Sequence, residues 1–129
     1  MKPLKFALSI AAGLMMLTMS ATAHHSFDAE YDSNKPITIT GFVTKVDWVN
    51  PHAYVQIDSK DPAGATTSYR VEMGPPYALV RGGWKRDTLK VGDKVTVQGA
   101  AMAKDGSPAA GSMPTTSMNL ASGQKLTMR

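Results

Sequence analysis

The stretch ITITGFVTKVDWVNPHAYVQI, residues 37–57, begins and ends with runs of period two, the mark of extended chain. Ile37 and Ile39 alternate with Thr38 and Thr40, and Ala53, Val55 and Ile57 alternate with His52, Tyr54, Gln56 and Asp58. Between the two runs the apolar phase is uneven through Phe42, Val43, Val46, Trp48 and Val49. Gly41 sits at the phase change, which predicts a β-bulge or sharp bend in a long, curled first strand. Asn50-Pro51 then punctuates the chain before the second run.

The same signals continue downstream. Asp61-Pro62-Ala63-Gly64 predicts a turn, and Thr66 to Met73 its hairpin partner, with Thr67, Tyr69, Val71 and Met73 on one face. Pro76 to Arg81 predicts one short helix, with Pro near its first position and Gly82-Gly83 as its stop. Val91-Gly92-Asp93 is a turn, followed by alternation of Val95 and Val97 with Thr96 and Gln98. Residues 103–114, rich in Gly, Pro, Ala and Ser, read as a flexible loop. Ser117 to Leu120 and Lys125 to Met128 read as short strands around a Ser122-Gly123 turn. The order is that of an all-β protein with one short helix, an OB-fold-like five-stranded Greek-key barrel. An open β-sandwich or another small barrel is the alternative.

Upstream, residues 1–23 have the parts of a signal peptide. Lys2 and Lys5 form a positive n-region, Phe6 to Met19 an apolar core, and Ala21 and Ala23 a small-residue cleavage site. The apolar run is short for a membrane span, which sets an uncleaved anchor second. Cleavage after Ala23 leaves one small domain, with residues 24–35 as an irregular arm and 36–129 as the barrel. It also lowers the basic count from 14 to 12 against 10 acidic residues, a net charge of +2. Interspersed charges at that level argue against nucleic acid as a partner. The expected address is outside the cytoplasm, in the periplasm first and fully secreted second, with no membrane span after cleavage. The chain has no cysteine, which removes disulfides, thiol catalysis and cysteine-ligated clusters.

AHHSF just after the leader, ITITGFVTKVDWVNPHAYV, EMGPPYALVRGGW and LKVGDKVTVQG together resemble a family of small exported bacterial proteins catalogued only as a domain of unknown function. The resemblance spans nearly the whole chain after the leader and implies an exported OB-like barrel. It implies no activity, substrate or catalytic residue. The methionine-rich C-terminal third stands apart from it.

Three histidines make up the whole imidazole set: His24, His25 and His52. After cleavage His24 owns a free α-amine beside its imidazole, and the two nitrogens form a compact chelate near neutral pH. A further imidazole from His52 completes a three-nitrogen set suited to copper first and zinc second. The arrangement is similar to the histidine brace of several exported copper proteins, as a likeness of site and not of fold. It depends on the cleavage bond: cleavage before Ala23 removes the chelate at His24 and leaves an Ala-His mode through His25. Against it stand a solvated terminus and a His52 that merely bonds to backbone.

Other groups are weaker. Asp28, Glu30 and Asp32 lack the spacing of a calcium loop and read as a solvated acidic arm, with Lys35, Arg81, Lys85 or Arg86 as pairing partners. Met73, Met102, Met113, Met118 and Met128 offer soft thioethers, but their spacing favours packing over Cu(I) ligation. Trp48, Tyr54, Arg81 and Trp84 mark an aromatic and basic face for a small ligand, a glycan or an envelope protein, unless the tryptophans close the barrel ends. Glu72 is the one carboxylate in its strand, facing either a ligand or a neighbouring lysine. No nucleophile elbow, P-loop or H-E-x-x-H motif is present, so an exported binding module is favoured over an enzyme.

Overall fold

Valine, isoleucine and threonine at alternating positions produce the strands that their period demands. The computed structural model describes residues 26–129. From Tyr31 onward seven strands and one helix follow in order: β1 (Tyr31–Asp47), β2 (Tyr54–Lys60), β3 (Thr66–Glu72), α1 (Pro76–Arg81), β4 (Lys94–Ala103), β5 (Ala109–Gly111), β6 (Ser117–Leu120) and β7 (Lys125–Thr127). The chain is mostly β, as its alternation implies. Residues 26–30 are helical, in a unit separate from Tyr31–Arg129. Residues 24–35 are therefore not an irregular arm throughout: Tyr31 to Lys35 already belong to β1. Polar side chains hid this, because their backbone pairs with β4 while most of them face solvent. The proposed leader, residues 1–23, lies outside the described residues.

The sheet order is β1-β2-β3-β5-β4-β6-β7, and an added β1–β4 pairing bends it into a partial ring. All pairings are antiparallel except β3–β5. The strand count is seven rather than five, for two local reasons. Ala109 to Gly111 form β5 inside the segment expected to be a loop, and the β6–β7 hairpin extends the sheet from β4. Three residues of Ala and Gly carry no period, so β5 leaves no trace in the alternation. Their small size suits close strand approach, and Ala110 is fully buried in the core.

β1 serves two partners. Its first part pairs with β4 and its last part with β2, and Phe42 is opposite both Lys94 and Asp58. The bend marked by Gly41 is a site of close approach and not itself the bulge. A Cβ there would lie 2.0 Å from the carbonyl oxygen of Asp58. The register slips fall on either side, between Ile37 and Thr38 and between Val43 and Lys45. Together they let one strand turn from β4 to β2.

Inward side chains fill the space behind the sheet. Ile39, Val43, Val55, Ile57, Val71 and Val97 are buried, joined by Leu79 from α1. Met73, Met118 and Met128 are also core residues, which accounts for three of the five downstream methionines by packing. The α1 helix keeps its expected bounds, with Pro76 at its start and Gly82 as C-cap. At the β2–β3 turn, Gly64 adopts φ +89° and the Asp61 carboxylate accepts from the Ala65 N–H at 2.9 Å.

Candidate functional site

The outer face of β2 and β3 carries a polar cluster built by register. Tyr54 stands opposite Glu72, so both side chains share one face. His52 lies two residues before Tyr54 and is drawn to the same side. Backbone bonds from Ala53 N–H to Gly74 O (3.1 Å) and from Met73 N–H to Ala53 O (2.8 Å) continue the pairing beyond β2. Ala53 is fully buried, which pins the chain beside His52.

Glu72 ties the cluster together. His52 Nδ1 lies 2.6 Å from Glu72 Oε1, and the Tyr31 hydroxyl donates to Glu72 Oε2 at 2.7 Å. A carboxylate only accepts, so Nδ1 carries the hydrogen of that contact. Among the described residues Nε2 has no hydrogen-bond partner, and the His52 side chain is 34% exposed against 14% for Glu72. Tyr31 is buried without belonging to the main core cluster. Ala103 stands opposite it, and Ala101 and Gly111 lead across β4 and β5 to Glu72. None of the three has a side chain larger than methyl, so the outer face leaves room for the phenol. Beside Glu72, the Arg70 guanidinium stacks 3.5 Å from the centroid of the Tyr54 ring.

The candidates read from the sequence separate on this frame. His52 is in the cluster, whereas His24 and His25 lie outside the described residues. Among the described residues no group of three His, Cys, Asp or Glu side chains converges on one point. Tyr54 is half-buried and engaged by Arg70. Trp48 is half-buried and packs against the core. Arg81 is exposed at the end of α1 and sits 5.6 Å from the Tyr77 ring centroid. Trp84 does not join a ligand face. It is 2% exposed, and its indole N–H donates to the Thr127 carbonyl at 2.7 Å. Large apolar area and one polar atom with a backbone partner explain that burial.

In the acidic segment, Asp32 accepts from the Asn34 N–H at 3.0 Å and lies 4.0 Å from Lys35. That is the expected role of a solvated, locally paired carboxylate. Glu72 meets a histidine and a tyrosine and not a lysine. Glu72 as the partner of His52, and Tyr31 and Arg70 as its neighbours, were not legible as a set. Only the shared face of His52 and Tyr54 pointed towards it.

A family model for a family of unknown function, DUF6152, matches residues 11–112. The chain belongs to that family. The match spans β1 to β5 and stops before the β6–β7 hairpin. No curated protein matches the chain, and no solved structure does. Among the described residues no helix is long and apolar enough to cross a membrane.

Proposed function

We propose that this DUF6152 member is an exported binding module that holds a transition metal ion, copper first and zinc second, through His52 and the N-terminal histidines His24 and His25. One observation carries the reading: Glu72 engages Nδ1 of His52 and leaves Nε2 as the nitrogen for a ligand. Metal-ligating histidines characteristically donate their other ring N–H to a carboxylate, which fixes the tautomer and raises ligand basicity. Glu72 would do this for His52, and Tyr31 would hold Glu72.

The fold reading that goes with it is an OB-type barrel of β1, β2, β3, β5 and β4. It is supported by the β1–β4 pairing, the parallel β3–β5 pair and the position of α1 between β3 and β4. The β2–β3 face, where His52, Tyr54 and Glu72 lie, is the face such barrels use for ligands. Export, with the periplasm as the address, rests on the leader pattern of residues 1–23.

The test is a Cu(II) titration of the processed protein, with the cleavage bond established by intact mass. The wild type is expected to bind one equivalent with nitrogen ligands visible by electron paramagnetic resonance. His52→Ala is expected to lose one nitrogen and most of the affinity. Tight stoichiometric binding that survives loss of both His24 and His52 contradicts the three-histidine set. A second reading, a metal-independent interaction module, is favoured by the Tyr54–Arg70 stack. It predicts ligand binding that chelators leave intact and that Tyr54→Ala abolishes.

A further inference from the structure

A second outer-face site lies where β1 changes partners. The odd outer residue there is Phe42, in a row otherwise made of Thr38, Thr40 and Thr44. Its ring is 53% exposed, although the inward face of the same strand has room only for core side chains such as Ile39 and Val43. Register surrounds Phe42 with polar groups: Lys94 on β4 and Asp58 on β2. Thr40, Gly41, Thr44, Lys60 and Thr66 complete a cleft of about 420 Å³ around it.

The charges around this ring are unevenly satisfied. Neither Lys60 nor Lys94 has an ion-pair partner among the described residues. Asp58 instead accepts from the Ser68 hydroxyl. Thr40 and Thr96 hydroxyls lie 3.1 Å apart across the strands. The cleft thus joins an open aromatic face, several hydroxyls, a carboxylate acceptor and two unneutralised ammonium groups.

We propose that this cleft binds an acidic saccharide, a sugar unit bearing a carboxylate. The Phe42 ring takes the apolar C–H face of the pyranose. Asp58 and the threonine hydroxyls take its hydroxyl groups, and Lys60 and Lys94 take the carboxylate by charge complementarity. A polyphosphate chain suits the cleft less well, because Asp58 places a negative charge against it. The site is distinct from the His52 cluster: Asp58 and Lys60 lie at the opposite end of β2 from Tyr54. It stands whether or not the protein binds metal.

The experiment is an amide chemical-shift titration of the purified protein with three probes: an oligogalacturonate, the matched neutral galacto-oligosaccharide and a single-stranded oligothymidylate. Oligogalacturonate is expected to move amides around residues 40–44, 58–60 and 94, more weakly as salt is raised. Phe42→Ala is expected to weaken binding at least about tenfold, on the scale of one aromatic contact, with the melting temperature kept. A Lys60→Gln, Lys94→Gln double variant is expected to lose the preference for the acidic over the neutral sugar. No perturbation by oligogalacturonate overturns the proposal. So does equal response to the neutral sugar, stronger response to oligothymidylate, or unchanged affinity in Phe42→Ala.

Discussion

The two ends of β2 solve the problem of an outer sheet face in opposite ways. At the Tyr54 end, polar groups satisfy one another: Glu72 accepts from both His52 and Tyr31, and Arg70 covers Tyr54. At the Lys60 end, an exposed phenylalanine stands among two lysines that pair with nothing described. The first arrangement is internally bonded and leaves one defined nitrogen, Nε2. The second is open and leaves charge and apolar area for something else to cover. Buried or half-buried polar groups contribute to stability through partners, whereas exposed groups away from such features contribute little. Stability and binding should therefore respond differently at the two ends.

The largest change is expected on β1, where Gly41 lies against Asp58 of β2. Gly41→Ala would drive a Cβ into the Asp58 backbone, where no side chain can swing away. A loss of several kcal/mol, or failure to fold, is expected in urea melts, because β1 must turn at this point to reach β2. Next comes Glu72→Ala, which takes the shared carboxylate acceptor from the Tyr31 hydroxyl and His52 Nδ1. It should cost about 1–3 kcal/mol in the same melts. Tyr31→Phe removes the hydroxyl that donates to Glu72 and should cost about 0.5–1.5 kcal/mol. Phe42→Ala should stay within about 0.5 kcal/mol of the wild type, since the ring is half exposed. If Phe42→Ala proved as destabilising as Glu72→Ala, the contrast between the two ends would collapse.

The smallest effect belongs to the β4–β5 turn. Hydrogen bonds from the Ser107 side chain and backbone hold the Asp105 carboxyl below the usual carboxylate range. A lowered value means that the ionised form is favoured by folding. Its contribution is present above the ordinary aspartate range and lost as pH falls through the lowered value. Asp105→Asn should flatten the acid limb of the stability curve slightly and leave neutral stability nearly unchanged.

How much was legible follows from the range of each interaction. Ala53, Val55 and Ile57 reveal their face by period alone, and Pro76 with Gly82-Gly83 brackets a helix locally. The β5 strand is invisible because Ala-Ala-Gly has no alternation and exists only between β3 and β4. The Gly41 signal was genuine, but a bulge and a close approach leave the same mark in sequence. The His52–Glu72–Tyr31 cluster joins positions 41 residues apart at Tyr31 and Glu72. Such a contact is set by register across strands that local patterns do not align. Trp84 showed the reverse: its neighbours suggested an accessible face, yet its size and indole N–H suited the core.

We propose that Glu72 prepares His52 Nε2 to hold a metal. It is tested most directly by Cu(II) affinity, measured by chelator competition, for wild type and Glu72→Ala after both are shown to be folded. About 10–100-fold weaker binding is expected in Glu72→Ala, the scale of losing a carboxylate behind a ligating histidine. Equal affinity in the two proteins, or no binding in the wild type, would contradict it.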